Sequence, residues 1–357
     1  MMKRTCMIML LVCVLVLSGC GAPLNDLGQN AAPVAQVTQQ PELKQYSATF
    51  LSLFDTVTTV LGKAESEEIF NERANAMRDM LEKYHQLFDI YHTYEGMNNL
   101  KTINDMAGKE PVKVDAEIIR LLKDCKEFYE ITGGKVNVAM GSVLNIWHET
   151  RSAGRLEPEY AKLPDMEDLL AASQYTDFDQ VLIDEEASTV FIADPNVRLD
   201  VGAVAKGWSV QRIIEQSHEG MLISVGGNVA SSGPKDPSGT PWVVGVENPD
   251  GEAYLHTLNL KTGCVVTSGD YQRTYVVDGK YYHHIIDPET LFPSALWRSV
   301  TVAHDDSGEA DALSTALFIL PLEEGKALLE KYGAEALWVN AAGEKFYSDG
   351  FSVHIRQ

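Results

Sequence analysis

The chain has 357 residues, of which 45% are hydrophobic, 22% charged and 8% aromatic. This composition is typical of a globular protein and excludes a wholly disordered chain, a collagen-like chain and a small disulfide scaffold. With 29 Lys and Arg against 51 Asp and Glu, the net charge is −22. So acidic a body repels phosphate backbones, and we expect no nucleic-acid partner.

The first 19 residues predict a secretory signal. Lys3 and Arg4 precede an apolar run, residues 7–17, that is too short to span a bilayer comfortably. The following Ser18-Gly19-Cys20 resembles the lipobox of bacterial lipoproteins, in which the cysteine is acylated. We therefore expect a lipid anchor on Cys20 and a protein held at the cell membrane, facing outside the cytoplasm. The alternative is a simple signal peptide with an incidental Cys20.

The composition after Cys20 predicts a tether followed by one folded region. Residues 20–44 are rich in Ala, Gln, Asn and Pro and lack periodicity, which indicates a flexible tether. Residues 45–357 contain no second linker and no internal repeat, so they form one large domain or two closely packed lobes. Cys125 and Cys264 lie in this region without a metal-ligand spacing, and we expect two buried thiols.

Helical and strand patterns mix along the folded region without a regular βαβ alternation, which predicts the α+β class. In chain order, the patterns predict a strand pair over 47–61, helices over 70–88 and 118–129, strands at 181–183, 189–192, 221–225, 242–246, 257–260 and 265–267, a hairpin over 275–282, helices over 310–320 and 323–332, and a strand at 337–339.

The helix predicted at residues 310–320 carries a carboxylate and a hydroxyl on one line. Asp311 and Thr315 are four residues apart and therefore lie on the same face. The helix is apolar nearly all round, so it is predicted to be buried, and buried polar groups cost free energy unless they are paired. Two hard oxygens at this spacing suit Mg²⁺ or Ca²⁺. The alternative is an aspartate that interacts with the helix dipole beside a threonine that bonds its own helix.

A second segment combines small residues with a lysine. Residues 199–208 follow an apolar strand and open a helix, so their glycines allow close approach of a ligand and Lys206 adds positive charge near the helix N-terminus. This arrangement favours phosphate binding. Close helix–sheet packing beside a lysine that reaches solvent is the alternative.

Three further polar segments lie near predicted strand ends. Gly226-Gly227-Asn228 is a close-approach loop or a turn, and residues 267–273 place Tyr271 and Arg273 in a polar run. His284 has the side chain suited to proton transfer near neutral pH, and Asp287 is close enough in sequence to orient it or to bind a cation. A structural histidine is the alternative for His284.

In chain order these segments resemble the ApbE family of FAD:protein FMN transferases. The similarity covers nearly the whole folded region and implies an antiparallel-rich, T-fold-like domain with packed helices. The matching segments are Phe54-Asp55-Thr56, Asn98 to Asn104, Asp200 to Gly207, Gly226 to Asn228, Thr267 to Arg273, His284 to Pro288 and Ala310 to Thr315.

The resemblance implies that FAD binds with its pyrophosphate against Mg²⁺. By position, Asp311, Thr315 and the carbonyl of Ala203 would be the metal ligands. The residues that would contact the flavin or adenine are Phe54, Asn98, Asn99, Leu100, Asn137, Asp200, Lys206 and Ile286.

The implied reaction moves FMN from FAD to a Thr or Ser hydroxyl of an acceptor flavoprotein with an FMN-binding domain, and AMP leaves. His284 would be the base and Lys206 would neutralise phosphoryl charge, whereas Arg273, Asp270 or Asp287 would orient groups. An FAD pyrophosphatase and a non-enzymatic FAD-binding lipoprotein are the alternatives.

Three residues depart from the family pattern. Gln272 and Asn137 stand where acidic residues are common, and a neutral amide at Asn137 can still bond a ribose or a base. Leu291 stands at the usual position of a glycine, where a turn with positive φ would be strained. We therefore expect the loop around Leu291 to differ locally.

Overall fold

The structure is a computed structural model that describes residues 42–251 and 253–357. The predicted signal, the lipid-anchor site Cys20 and the tether up to residue 41 lie outside the described residues. The first strand begins at Lys44, the last residue of the predicted tether. Within the described ranges, no helix combines the length and the apolar character that a membrane span requires.

The described residues contain eight α-helices and fifteen strands. The helices are α1 Glu67–Phe88, α2 Leu100–Asp105, α3 Ala116–Ile131, α4 Gly141–Leu156, α5 Met166–Ser173, α6 Ala205–Gln216, α7 Ser307–Ile319 and α8 Leu322–Tyr332. The strands are β1 Lys44–Leu53, β2 Thr56–Ala64, β3 Val112–Lys113, β4 Val181–Asp184, β5 Thr189–Ile192, β6 Met221–Val225, β7 Asn228–Ser231, β8 Trp242–Val246, β9 His256–Leu260, β10 Gly263–Gly269, β11 Tyr275–Val277, β12 Lys280–Tyr282, β13 Ser299–His304, β14 Glu335–Val339 and β15 Lys345–Tyr347.

One eight-stranded sheet organises the domain. Its order is β1-β2-β6-β7-β10-β13-β14-β15, and every neighbouring pair is antiparallel. Three smaller antiparallel sheets accompany it, β3-β5-β4, β8-β9 and β11-β12. The predicted α+β class with antiparallel-rich sheets and packed helices is therefore confirmed.

Helices cover one face of the large sheet and a hairpin covers the other. The main apolar core joins α1, α6 and α7 to inward side chains such as Val60 and Val266, which are fully buried. The β8–β9 hairpin packs on the opposite face around Trp242 and Leu258. Burying one such side chain contributes about 1.5–3 kcal/mol to the stability of the folded state. The site described below lies at the end of the sheet where β6 turns into β7 and β10 ends.

Helix α7 is buried almost throughout, as its apolar sequence predicts. It begins where the Asp306 side chain accepts hydrogen bonds from the N–H groups of Gly308 and Glu309, so its first turn is capped from its own sequence. Ala316 and Leu317 have no exposed surface. Any polar side chain on this helix therefore faces other protein groups or an enclosed site.

The sequence patterns did not predict α2, α4, α5, β3, β7, β13 and β15. Helix α4 begins at Gly141, and its N-cap residue Met140 makes no side-chain capping bond, so the helix lacks the usual sequence signal at its start. Strand β13 is buried on both faces, so it shows no alternation of apolar and polar residues. The failure to predict α4 matters, because this helix carries His148 and Arg151, which are described with the site below.

Leu291 adopts the left-handed backbone conformation, which is unfavourable for a leucine. Leu291 has φ 61°, so the expected departure at this turn is wrong. Its N–H donates to the Asp287 carbonyl over 2.8 Å, and its carbonyl accepts from Trp147 Nε1 over 2.8 Å. The side chain is only 5% exposed. Burial and these two bonds hold a conformation that costs roughly 1–2 kcal/mol in an L-residue.

Candidate active site

The centre of the site is the close crossing of α6 and α7. A Cβ atom at Gly207 would lie 2.2 Å from the Ser307 carbonyl oxygen and 2.4 Å from Asp311 Cβ, so glycine alone permits this approach. The N–H of Gly207 donates to Asp311 Oδ2 over 2.8 Å. Val204, the N-cap residue of α6, makes no side-chain capping bond. The Asp311 side chain on α7 therefore acts as the hydrogen-bond acceptor for the N-terminus of α6.

Lys206 joins the same point. Its Nζ lies 3.7 Å from Asp311 Oδ2, and both side chains are mostly withdrawn from solvent. The structure therefore brings together the two segments that the sequence singled out separately. On the next turn of α7, Ser314 donates to the Asp311 carbonyl over 3.0 Å, and Ser268 of β10 lies 2.8 Å from the Ser314 hydroxyl.

The three metal ligands implied by the family resemblance would all supply hard oxygens. Asp311 is 4% exposed, and among the described residues only the Gly207 N–H bonds its carboxylate, with Lys206 at ion-pair distance. Thr315 lies one turn further along α7, and Ala203 lies just before α6. A buried carboxylate, a hydroxyl and a backbone carbonyl fit Mg²⁺ or another hard cation. No group of three His, Cys, Asp or Glu side chains with metal-binding geometry occurs within the described ranges.

His284 is a half-buried histidine whose Nδ1 atom is buried and unused. Its Nδ1 has no hydrogen-bond partner among the described residues. Burial, followed by the positive charges of Arg273 and Lys206, lowers the pKa of His284 to about 3. The ring is therefore neutral at physiological pH and can accept a proton. Its neighbour His283 is structural, because its Nε2 lies 2.7 Å from the Ser294 carbonyl.

Phe54 and Arg273 meet at the turn between β1 and β2. Arg273 Nη2 donates to the Phe54 carbonyl over 3.3 Å, and the Phe54 N–H donates to His85 Nδ1 over 3.3 Å. Phe54, Asp55 and Arg273 all have positive φ values of 46–54°. Three non-glycine residues in this sparsely populated region mark the turn as a strained part of the site.

Asp200 lies in the segment that precedes α6. Its Oδ1 accepts the N–H of Gly202 over 2.8 Å. Burial raises the pKa of Asp200, whereas the Gly202 bond and the charges of Arg273, His148 and Arg151 lower it. Asp200 is thus a desolvated carboxylate that faces cations from other elements.

Other predicted contact residues use their side chains within the fold. Asn98 Nδ2 donates to the Lys113 carbonyl over 2.8 Å. Asn99 caps α2, and its Nδ2 also donates to two carbonyls, while Leu100 has no exposed surface. Asn137 bonds Thr176 and Ala139, and Ile286 is 6% exposed in the apolar cluster beneath α4. The side chains of Asn99, Leu100 and Ile286 are thus buried in the fold, whereas Asn98 is exposed.

The structure does not join Asp287 to His284. The Asp287 carboxylate accepts from the Glu289 N–H over 3.0 Å and lies 3.4 Å from Lys135 Nζ. Within the described residues it makes no hydrogen bond to His284, so the role of orienting that histidine has no geometric support. The reason is local: Asp287 closes the turn that carries Leu291.

Asp270 is a second carboxylate near the end of β10. Its Oδ2 lies 3.2 Å from Arg298 Nε, and its Oδ1 is buried without a partner among the described residues. Burial raises the pKa of Asp270 to about 6. Asp270 can therefore titrate near neutral pH.

Three residues of the site were not identified from the sequence. Tyr91 follows α1, and His148 and Arg151 lie on α4 with a spacing of three. The Tyr91 hydroxyl and Arg151 Nη2 each lie 3.2 Å from His148 Nδ1. Burial raises the pKa of Tyr91 to about 12, and burial followed by the charge of Arg273 lowers the pKa of Arg151. The spacing of His148 and Arg151 was the available signal, but it has meaning only once α4 is known.

Residues 54–338 match the family model described as the ApbE family. The chain is a member of the ApbE family. It is 31% identical over 274 residues to an FAD:protein FMN transferase of Klebsiella pneumoniae (strain 342), covering 74% of this chain and 81% of that protein. It is 34% identical over 260 residues to one of Treponema pallidum (strain Nichols), covering 67% and 70%.

Solved ApbE structures share the fold. The ApbE protein of Thermotoga maritima superposes with a TM-score of 0.78 at 30% identity, covering 88% of this chain and all of that chain. The flavin transferase ApbE of Vibrio cholerae superposes with a TM-score of 0.71 at 21% identity, with the same coverage, and supports the fold alone. The predicted family, fold and enzyme class, a flavin transferase, are confirmed.

Proposed function

We propose that this ApbE-family protein is a Mg²⁺-dependent FAD:protein FMN transferase that forms a phosphoester with a Thr or Ser hydroxyl of an acceptor flavoprotein and releases AMP. The observation that carries the proposal is the junction of Lys206, Gly207 and Asp311 beside His284. It combines a buried carboxylate that would hold a cation, a lysine at the N-terminus of a helix, where phosphate binding is favoured, and a neutral histidine.

In the proposed reaction the acceptor hydroxyl oxygen attacks the phosphorus on the FMN side of the FAD pyrophosphate. A new P–O bond forms, the P–O bond to the bridging oxygen breaks, and AMP leaves with that oxygen. Bound to Asp311, Thr315 and the Ala203 carbonyl, Mg²⁺ would neutralise charge on the phosphoryl oxygens. Lys206 and Arg273 would hold the same anionic groups in place.

His284 would accept the proton of the attacking hydroxyl. In the described structure its pKa is about 3, so it is neutral but weakly basic. Two of the causes are the charges of Arg273 and Lys206. Burial is the largest cause and would persist, but a bound diphosphate would offset the charges of Arg273 and Lys206 and so raise the pKa of His284. Substrate binding would thus make His284 a stronger base.

The test is mass spectrometry of an acceptor domain after incubation with the protein, FAD and Mg²⁺. We expect the acceptor to gain the mass of FMN less one water on a Thr or Ser, with one AMP released for each modified acceptor. His284→Asn should abolish both products, and His218→Asn, which changes an exposed histidine, should not. AMP and FMN formed without an acceptor would indicate a pyrophosphatase instead, and FAD binding without any product would indicate a storage protein.

We also propose that Cys20 carries the lipid that holds this enzyme outside the cytoplasmic membrane. The support is the sequence Leu17-Ser18-Gly19-Cys20 after an apolar run. Full-length protein expressed in bacteria should partition into detergent and carry an acyl mass on Cys20, whereas Cys20→Ala should not. A wild-type protein that is released without lipid would contradict this proposal and leave the enzymatic one intact.

A further inference from the structure

A cavity of about 450 Å³ opens between the large sheet and the β8–β9 hairpin, on the sheet face that the helices do not cover. Side chains of β6, β7 and β10 line one side of it, and β8 with the loop that follows it lines the other. The volume lies in the range of roughly 300–1,000 Å³ that is usual for ligand pockets. The chemical steps of the proposed reaction leave this cavity without a role.

The cavity and the candidate active site share one strand and one loop. Thr267 lines the cavity, whereas the hydroxyl of its neighbour Ser268 lies 2.8 Å from the Ser314 hydroxyl on α7. Successive residues of a strand point to opposite faces, so the two places lie on opposite faces of the end of β10. In the following loop, Gln272 lines the cavity, and the next residue, Arg273, donates a hydrogen bond to the turn between β1 and β2. A protein that binds over this end of the sheet would contact both places.

The lining of the cavity is acidic and rich in hydrogen-bond acceptors. Among the described residues Glu247 is its only charged side chain, and the lining contains no Lys, Arg or His. The other polar side chains in contact with the strands and the loops carry oxygen atoms that can accept, namely those of Ser224, Asn248, Thr267 and Gln272. Ammonium and guanidinium groups only donate hydrogen bonds and carry the opposite charge. The lining therefore suits a basic side chain.

Tyr271 adds a buried hydroxyl to the same wall. Its side chain lines the cavity, and its hydroxyl oxygen is buried without a hydrogen-bond partner among the described residues. Burial, followed by the charge of Glu247, raises the pKa of Tyr271, so the phenol is neutral and its oxygen can accept a hydrogen bond. A buried polar atom of this kind normally has a partner, and a basic group that enters the cavity would supply one.

Arg298 holds the two loops of the cavity together. Its Nη2 donates to the Pro249 carbonyl over 3.1 Å, its Nη1 bonds the Asp250 carboxylate, and its Nε lies 3.2 Å from Asp270 Oδ2. The loop after β8 is thereby fixed to the loop after β10. Because Arg298 pairs with these two carboxylates, Glu247 has no ion-pair partner within the described ranges.

On the basis of the proposed function, we propose that this cavity binds a Lys or Arg side chain of the acceptor flavoprotein, with Glu247 as the ion-pair partner and Tyr271 as a hydrogen-bond acceptor. The argument for this occupant is charge complementarity, because the chain has a net charge of −22 and the one charge in the lining is a carboxylate. Opposite charges across an interface speed association and fix the orientation of the partner. The cavity would thus select the acceptor and contribute nothing to FAD binding.

The test is isothermal titration calorimetry of the purified protein with the FMN-binding domain of an acceptor flavoprotein, in EDTA and without FAD, so that no transfer occurs. We expect Glu247→Gln to weaken acceptor binding by about three- to tenfold and Tyr271→Phe by about twofold or more, with FAD affinity unchanged in both. Added NaCl should weaken acceptor binding more steeply in wild type than in Glu247→Gln. Glu330→Gln makes the same change at an exposed position on α8 and should alter neither affinity.

Charge reversal identifies the partner side chain. Acceptor variants that each change one exposed Lys or Arg to Glu are titrated against wild type and against Glu247→Lys. We expect one acceptor variant to bind wild type weakly and Glu247→Lys well, which couples the two positions.

The outcomes separate this inference from the proposed function. Equal acceptor binding by wild type and Glu247→Gln, or an equal loss of acceptor and FAD affinity in that variant, would overturn the inference and leave the transfer reaction intact. Self-association of the protein that Glu247→Gln abolishes would place a second copy of this chain in the cavity and overturn it too. Acceptor binding that depends on Glu247, with an acceptor that never gains FMN in the presence of FAD and Mg²⁺, would overturn the proposed function alone.

Discussion

The N–H of Gly207 and Oδ2 of Asp311 are 2.8 Å apart, although the residues are 104 positions apart in the chain. This bond fixes α7 against the start of α6 and places Lys206 beside the same carboxylate. The packing of α7 on α6 thus depends on one side chain, and in the proposed function the same side chain would also bind the metal. The relationship explains why an ionisable residue is kept in a helix that is otherwise buried and apolar.

Asp311→Asn should reduce AMP formation by about 100-fold or more, because the amide lacks the charge that binds a cation. Thr315→Ala should cause a smaller loss that excess Mg²⁺ partly restores. The measurement is the initial rate of AMP release across a Mg²⁺ titration. Asp168→Asn, an exposed charge change on α5, is the control. An Asp311→Asn enzyme with wild-type Mg²⁺ dependence would remove Asp311 from the metal site.

Gly207→Ala should destabilise the fold by about 1–3 kcal/mol or more, because the added Cβ would overlap the Ser307 carbonyl and Asp311. The two helices would have to separate, so activity should fall as well. Urea unfolding monitored by circular dichroism gives the free energy of unfolding. At Gly251 a Cβ would meet only the flexible Asn248 side chain, so Gly251→Ala is the matched control. Equal stability of the two variants would argue against the close crossing.

Stability should fall as the pH drops below about 6.5, in part because of His284. Its pKa is about 3 in the folded state and about 6.5 in the unfolded chain, so between these values the unfolded state binds one more proton. Each pH unit by which the pH falls within this window then lowers the free energy of unfolding by up to about 1.4 kcal/mol. His284→Gln should show a shallower loss between pH 6.5 and 4.5 in urea unfolding. Parallel curves for wild type and variant would contradict the lowered pKa.

Leu291→Gly should be more stable than Leu291→Ala by roughly 1 kcal/mol, because only alanine keeps the strain of φ 61°. Both variants lose a buried leucine and should be less stable than wild type by about 2–5 kcal/mol. Thermal unfolding of the three proteins ranks them. An alanine variant that matches or exceeds the glycine variant would mean that the turn relaxes out of the left-handed region.

The elements that the sequence predicted are those with strong local patterns. Helix α1 has apolar residues at helical spacing and begins at Ser66, whose side chain accepts the Ile69 N–H, so periodicity and cap agree. The β11–β12 hairpin has an Asp-Gly turn with both residues at positive φ. By contrast, α4 begins without a cap, and Tyr91, His148 and Arg151 remained unrecognised with it.

The sequence by itself determined the family, the α+β class and the ordered segments that carry Asp200, Lys206, His284 and Asp311, since each segment has a local composition that its chemistry requires. Only the tertiary structure decided which of these residues meet. It joined Asp311 to Gly207 and Lys206, left Asp287 with Lys135 instead of His284, and added Arg151 from α4. The physical reason is that contacts across 100 or so residues depend on how helices and strands pack, and no local pattern encodes that distance.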